Sequence, residues 1–235
     1  MVSLKLGLAL LPYWVIVRVG WIRLVIVDLD MTLVDTARRC YDVLVKLSNA
    51  NGVSFSDFMV MYYDRRGIRS GLASIIGAEA FDYWFWRRCW LRYLNDGEYG
   101  ELLPGALEAL RHLKGEGRLI VIATGREVEG DLLAPELNKY GILNLVDGYM
   151  ALGDLGPNYG KGDLLKRILN IYNNGSVEGA VYVTDHPRDI DICRSMGLLS
   201  IGVLNKWIKE LNADKVIDDL RKLPSAIKEL ESSLT

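Results

Sequence analysis

An α/β fold, a doubly wound parallel sheet with helices inserted after its first strand, is what this sequence predicts. Three observations carry it. Residues 22–27 form a run dense in β-branched residues that ends on two carboxylates, Asp28 and Asp30. Comparable apolar runs return at 119–123, 180–184 and 199–203, with helical patterning between them. Residues 37–103 interrupt that alternation and are helical in character, with no clear strand. Apolar strands alternating with helices argue for a parallel sheet buried on both faces.

Taken in order, the first run is a core strand, so Asp28 and Asp30 sit where it opens into a loop. That is where α/β sheets place their ligands. Pro104-Gly105 opens a helix over 106–114, which Gly115 and Gly117 terminate. The strand at 119–123 leads to Thr124 and then to a helix around 128–140, which Pro135 kinks or splits in two. Residues 145–150 read as a short strand and 163–172 as a helix, with Leu164, Leu165, Ile168, Leu169 and Tyr172 at helical spacing. The strand at 180–184 runs into Asp185, and a helix over 189–196 precedes the strand at 199–203. The tail, 216–230, reads as a short strand or turn and then a helix from near Pro224.

Within the insertion, 81–94 carries Tyr83, Trp84, Phe85, Trp86, Trp90 and Tyr93. These rings read first as the insertion's own core, since a small helical unit needs large side chains to bury enough area. A surface for stacking substrate is the second reading. The expected organisation is an apolar extension over 1–20, a core of 21–36 and 104–235, and a helical domain over 37–103.

Composition bounds the function. With 235 residues, half of them hydrophobic and a quarter charged, the chain can bury a full α/β core and one insertion. A formal net charge of −2 supplies no basic field for nucleic acid. Cys40, Cys89 and Cys193 are too widely spaced for zinc and read as reduced thiols of a cytoplasmic protein. Residues 4–17 are almost all apolar, yet no small-x-small cleavage site follows. A membrane span needs roughly 20 apolar residues, and Pro12, Arg18 and Arg23 interrupt this one. The extension is expected to pack as an extra strand or helix, or to reflect a start assigned upstream of the true one. A peripheral membrane or partner contact is the minor alternative.

Paired acids at a strand end point to a hard cation and phosphate chemistry, because burying them without a counter-charge is costly. Asp28-Leu29-Asp30-Met31-Thr32, Thr124-Gly125-Arg126, Lys161 in Tyr159-Gly160-Lys161-Gly162, and Asp185-His186-Pro187-Arg188-Asp189 follow one another in order. In these four elements the chain resembles the haloacid dehalogenase superfamily, over roughly residues 23–230, in its phosphoglycolate-phosphatase and β-phosphoglucomutase branch. The resemblance implies a Rossmann-like core with 37–103 as a helical cap. It also implies a magnesium-dependent phosphatase acting on a small phosphorylated metabolite through an aspartyl-phosphate.

On that resemblance Asp28 is the nucleophile and Asp30 the general acid and base, whose pKa the neighbouring carboxylate would have to raise. Magnesium would be held by Asp28, the carbonyl of Asp30 and Asp185, with Asp189 as an outer or additional ligand. Asp189 could equally cap the helix that starts there. Thr124, the Gly125 N–H and Lys161 would hold the phosphate, while Lys166 is a nearby alternative to Lys161. Of the loop Arg65-Arg66-Gly67-Ile68-Arg69, Arg69 is the residue expected to grip substrate. Met31 stands where relatives commonly have glycine, and Gly162 where many have proline. A phosphomutase using the same residues, and a binding module that kept the fold without catalysis, are the alternatives.

Overall fold

The computed structural model describes residues 20–48, 50 and 52–234. The apolar extension expected over 1–20 therefore lies outside the described residues, apart from Gly20. Six parallel strands form one sheet: β1 Leu24–Val27, β4 Leu119–Thr124, β5 Gly148–Ala151, β6 Ala180–Thr184, β7 Leu199–Val203 and β8 Lys215–Ile217. Their spatial order is β5-β4-β1-β6-β7-β8. The winding reverses between β1 and β6, and the crevice at such a reversal is where doubly wound sheets bind ligands.

Register fixes which residues meet there. Val27 lies opposite Ile122 on one side and Val183 on the other. Asp28, Thr124 and Asp185 therefore all emerge at the carboxyl end of the sheet. All four residues of β1 are buried, and alternate ones face opposite layers, as a two-sided strand requires. Val25 and Val27 join one apolar cluster, which also takes Leu110 and Leu113 of α5 (Ala106–Gly115) and Ile227 of α9 (Leu223–Ser233). Leu24 and Ile26 join the other, with Leu164, Leu165 and Ile168 of α7 (Lys161–Tyr172) and Cys193 of α8 (Pro187–Met196). Each fully buried Leu, Ile or Val contributes roughly 1.5–3 kcal/mol relative to exposure.

Four helices stand between the first strand and the second β-α unit: α1 Ala37–Ser48, α2 Phe55–Tyr63, α3 Ile68–Ile76 and α4 Tyr83–Asn95. Ser54 and Asp57 form a capping box that starts α2. Asp82 accepts from the N–H groups of Trp84 and Phe85 to start α4. The chain enters and leaves this insertion through two antiparallel strands, β2 Val34–Asp35 and β3 Glu101–Leu102. The patterning of 37–103 does not predict β3, because two residues are too few to show a period.

Elsewhere the sequence reading needs small revisions. The helix expected around 128–140 is divided: a 3-10 turn spans Gly130–Leu133 and α6 is only Ala134–Lys139. Pro135 sits in the first turn of α6, where its missing N–H costs nothing. The strand expected over 145–150 begins instead at Gly148, after a 3-10 turn over Leu143–Leu145. A side chain at 148 would collide with the Tyr172 hydroxyl, 1.9 Å from where its Cβ would lie.

Candidate active site

Asp28 is buried at the end of β1, and its backbone N–H donates to the Val183 carbonyl of β6 at 2.9 Å. Its Oδ1 accepts from the Lys161 ammonium at 2.8 Å and from the Leu29 N–H at 2.9 Å. Lys161 is the first residue of α7, whose start is fixed by the Asp163 carboxylate accepting the Gly160 N–H at 3.0 Å. The same ammonium donates to the Ala123 carbonyl at 3.0 Å and lies 3.5 Å from Asp189. Burial pushes the Asp28 carboxyl up to about 6, against the pull of Lys161, and the charges of Asp189 and Asp30 add to the rise. Burial alone would lower the Lys161 ammonium, but Asp28 and Asp189 more than reverse that and hold it above its usual range.

Asp185 lies just past β6 and is fully buried. Its carboxylate accepts from the Thr32 hydroxyl at 2.8 Å and, across from the helical insertion, from the Tyr63 hydroxyl at 2.6 Å. Burial, reinforced by the charge of Asp28, pushes Asp185 up to about 7 despite those donors. Asp189 does not start α8, contrary to the capping alternative. The helix begins at Pro187, and the His186 ring nitrogen Nδ1 accepts the Arg188 N–H at 3.2 Å. Asp189 instead accepts from the Tyr182 hydroxyl at 3.1 Å and faces Lys161.

Asp30 differs from the sequence expectation in one physical respect. Its carboxyl is lowered, not raised. Burial alone would raise it, but the Arg126 guanidinium, at 2.8 Å through Nη2, more than offsets that. The hydroxyls of Thr124 and Thr36 donate to it as well, at 2.8 and 2.9 Å. Arg126 is fully buried and also pairs with Glu136 of α6, Nη1 to Oε2 at 2.5 Å. Trp90 and Tyr93 of α4 lie over the guanidinium at 4.7 and 4.8 Å from their ring centres. The Tyr93 hydroxyl donates to Glu136 at 2.8 Å. Sequence reasoning notes Arg126 only as the residue after Gly125. Its one local signal is an arginine placed just past a core strand, where burial requires a carboxylate partner.

The remaining expected residues are near but differently engaged. Thr124 closes β4 with its hydroxyl committed to Asp30. Gly125 lines the cavity beside Asp28. Arg69 lies in the first turn of α3, not in a loop, and it lines the same cavity already paired with Glu127. Arg65 and Arg66 turn away, to Asp191 and Asp64. Met31 takes φ 61, the left-handed region where glycine is favoured. Holding a methionine there costs about 1–2 kcal/mol. Glu127 and Tyr63 carry no motif, and His186 stands inside the Asp185–Asp189 element without a role that the sequence assigns.

A cavity of about 410 Å3 is walled by Asp28, Asp30, Gly125, Lys161 and Asp189 together with residues of the helical insertion, among them Arg69. Among the described residues, no group of three or more His, Cys, Asp or Glu side chains is arranged to hold a metal ion. Two buried carboxylates that repel each other, Asp28 and Asp185, nonetheless make a hard-oxygen pair one positive charge short, since Lys161 pairs with Asp28 and no cation pairs with Asp185 among the described residues. That chemistry fits magnesium, which keeps water and takes only one or two carboxylates.

Solved structures share this architecture. A haloacid dehalogenase-like family protein of Streptococcus pneumoniae superposes with a TM-score of 0.69 at 16% identity, over 87% of this chain and 97% of its own. A predicted phosphoglycolate phosphatase of Haemophilus somnus gives 0.64 at 18% identity, covering 88% and 98%. A HAD-hydrolase of Bacillus subtilis bound to magnesium gives 0.60 at 16%, covering 88% and 99%. At such identities the likeness shows the fold alone. No curated protein matches the chain. The model of the haloacid dehalogenase-like hydrolase family matches residues 25–203, from inside β1 to the end of β7. The match spans both Asp28 and Asp185, the helical insertion between them and the strand reversal they flank, so the chain belongs to the haloacid dehalogenase-like hydrolases.

Proposed function

We propose that the protein is a magnesium-dependent phosphatase that hydrolyses a phosphate monoester of a small metabolite. The observation that carries this is that Asp28, paired with Lys161, and Asp185, which feels the charge of Asp28, lie together at the strand reversal, with Asp28 and Lys161 opening onto one cavity. Asp28 is placed to attack phosphorus and form an aspartyl-phosphate, dividing hydrolysis into two easier steps. Lys161 orients that carboxylate and offers positive charge to the phosphoryl oxygens. The Gly125 backbone lies at the cavity wall as a further donor, and Thr124 acts through Asp30.

Arg126 keeps Asp30 in the form that accepts a proton, which suits activation of the water that cleaves the intermediate. Donating to the leaving alcohol needs Asp30 protonated, and an incoming dianionic phosphate favours that by repulsion. Magnesium, held by Asp28, Asp185 and the Asp30 carbonyl, would neutralise the phosphoryl charge. Asp189 lies one contact further out, through Lys161. The three cysteines are unpaired, which suits a cytoplasmic protein. Among the described residues no helix is long and apolar enough to cross a membrane.

The test is release of inorganic phosphate from a panel of phosphate esters, with magnesium and with excess chelator. Turnover should require the ion. Full activity in chelator, or isomerised sugar phosphate without free phosphate, would count against this reading.

A further inference from the structure

The cavity is larger and more apolar than a two-carbon phosphate ester needs. Its volume, about 410 Å3, falls among pockets that enclose drug-sized ligands, roughly 300–1,000 Å3. Away from Asp28 the wall is made by Phe58, Tyr62, Ile68, Tyr83, Trp86 and Trp90. Trp86 satisfies its indole N–H inside the insertion, on the Ala80 carbonyl at 2.8 Å, and Trp90 gives its own to Glu127. Neither indole asks the ligand for a hydrogen bond. Arg126 lies over Trp90 and Arg69 over Trp86, so what the indoles offer a ligand is the ring surface that those guanidinium groups leave uncovered.

Charge in that wall is already balanced. Glu127 is buried and bound to Arg69, whose guanidinium also lies 5.6 Å from the centre of the Trp86 ring. A carboxylate on the substrate would have to displace Glu127 to reach Arg69, leaving a buried carboxylate unpaired. Lys161 belongs to Asp28 and Arg126 to Asp30. Arg188, which lines the cavity and makes no ion pair among the described residues, is exposed to water that screens it.

We propose that the ester taken by this site carries a flat, uncharged ring on its alcohol portion, held against Trp86 and Trp90 in the cavity wall. The proposal rests on the phosphatase reading for the phosphate end and adds the class of the leaving alcohol. Stacking on such walls is worth about tenfold or more in affinity per ring.

The test pairs 3-phenylpropyl phosphate with propyl phosphate, whose alcohols leave with similar ease, alongside 2-phosphoglycolate. With magnesium and the full chain, kcat/KM should favour the phenyl ester by at least about tenfold over both. Trp86→Leu, which keeps apolar volume without the flat face, should cut that preference by about tenfold. Tyr83→Leu, at the cavity's more open edge, gives a second reading should Trp86→Leu fail to fold.

Calorimetric binding of 3-phenylpropylphosphonate against propylphosphonate separates the two claims. Tighter binding of the ring compound by about tenfold supports the ring site even if no ester is turned over, in which case the phosphatase reading alone fails. Equal binding of the two phosphonates, or a preference for phosphoglycolate in turnover, would overturn the ring proposal and leave hydrolysis standing.

Discussion

Asp28 and Asp30 leave the same strand two residues apart, yet the molecule treats their charges in opposite ways. On the side facing β6, Asp28 and Asp189 share the Lys161 ammonium, Asp185 has only hydroxyl and amide donors among the described residues, and Asp28 and Asp185 are both raised. On the side facing β4, Asp30 and Glu136 share the Arg126 guanidinium, with the Thr124, Thr36 and Tyr93 hydroxyls filling the remaining acceptor sites. One side is short of positive charge and open to the cavity. The other is saturated with hydrogen bonds and backed by the rings of α4, while Asp30 still lines the cavity. An acid pair that reads as symmetrical in the sequence thus becomes one carboxyl raised beside a shared ammonium and one held ionised by a guanidinium, and the difference lies in what each neighbouring strand end supplies.

The sharpest break of this contrast is Asp28→Asn, which removes the reacting charge and keeps the volume. Phosphate release should fall by at least about three orders of magnitude, roughly 4 kcal/mol in barrier. Near-normal turnover in steady-state assay would place the nucleophile elsewhere. Stability should move little or rise in that variant, because one of the repelling carboxylates is gone.

Arg126→Met attacks the side whose charges are paired. It leaves Asp30 and Glu136 buried without their cation, and breaking such a pair costs about 3–5 kcal/mol. Denaturant unfolding should show that loss, whereas Arg126→Met at wild-type stability would mean that the guanidinium does not hold these acids in the fold. Removing the Tyr93 hydroxyl, as Phe, should cost less, about 1–3 kcal/mol, since one acceptor on Glu136 loses its donor.

The smallest effect is one of pH. Folded Asp28 and Asp185 bind protons more tightly than the ordinary carboxylate value of 3.8, at about 6 and about 7. Folding is therefore favoured by protonation: the gain is complete below 3.8 and is lost as pH rises through those folded values. The magnesium-free protein should melt higher at pH 5 than at pH 7.5, by at least about 2–4 °C, the equivalent of about 1 kcal/mol. Magnesium should erase the difference. Asp30 has the opposite sign, since its lowered carboxyl adds stability above 3.8 that disappears only in stronger acid.

Much of this was legible in the chain. The β-branched run of β1 gives its two-sided burial, and the order of apolar segments gives the parallel sheet, because both follow from local periodicity. Asp28, Thr124, Lys161 and Asp185 stand at element ends, which is why a linear reading can gather them. The partners of Asp30 were not legible in this way. Arg126 lies 96 residues from Asp30 and reaches Glu136 on a helix that only Pro135 announces. Nothing periodic links the three, so the direction of the Asp30 shift could not be read. The strands β2 and β3, two residues each, escape for want of length.

The Arg126 cluster also limits how this sequence can change through descent. Its members come from the loop after β1, the end of β4, α6 and α4, four segments far apart along the chain. Losing the guanidinium strands two acids, and losing either acid leaves a buried cation short of a partner. Each single step crosses a less stable intermediate, while a coordinated replacement by apolar residues would be neutral or favourable. Substitutions at Asp30, Arg126 and Glu136 should therefore be strongly epistatic in any lineage. That trap holds regardless of what the cavity binds.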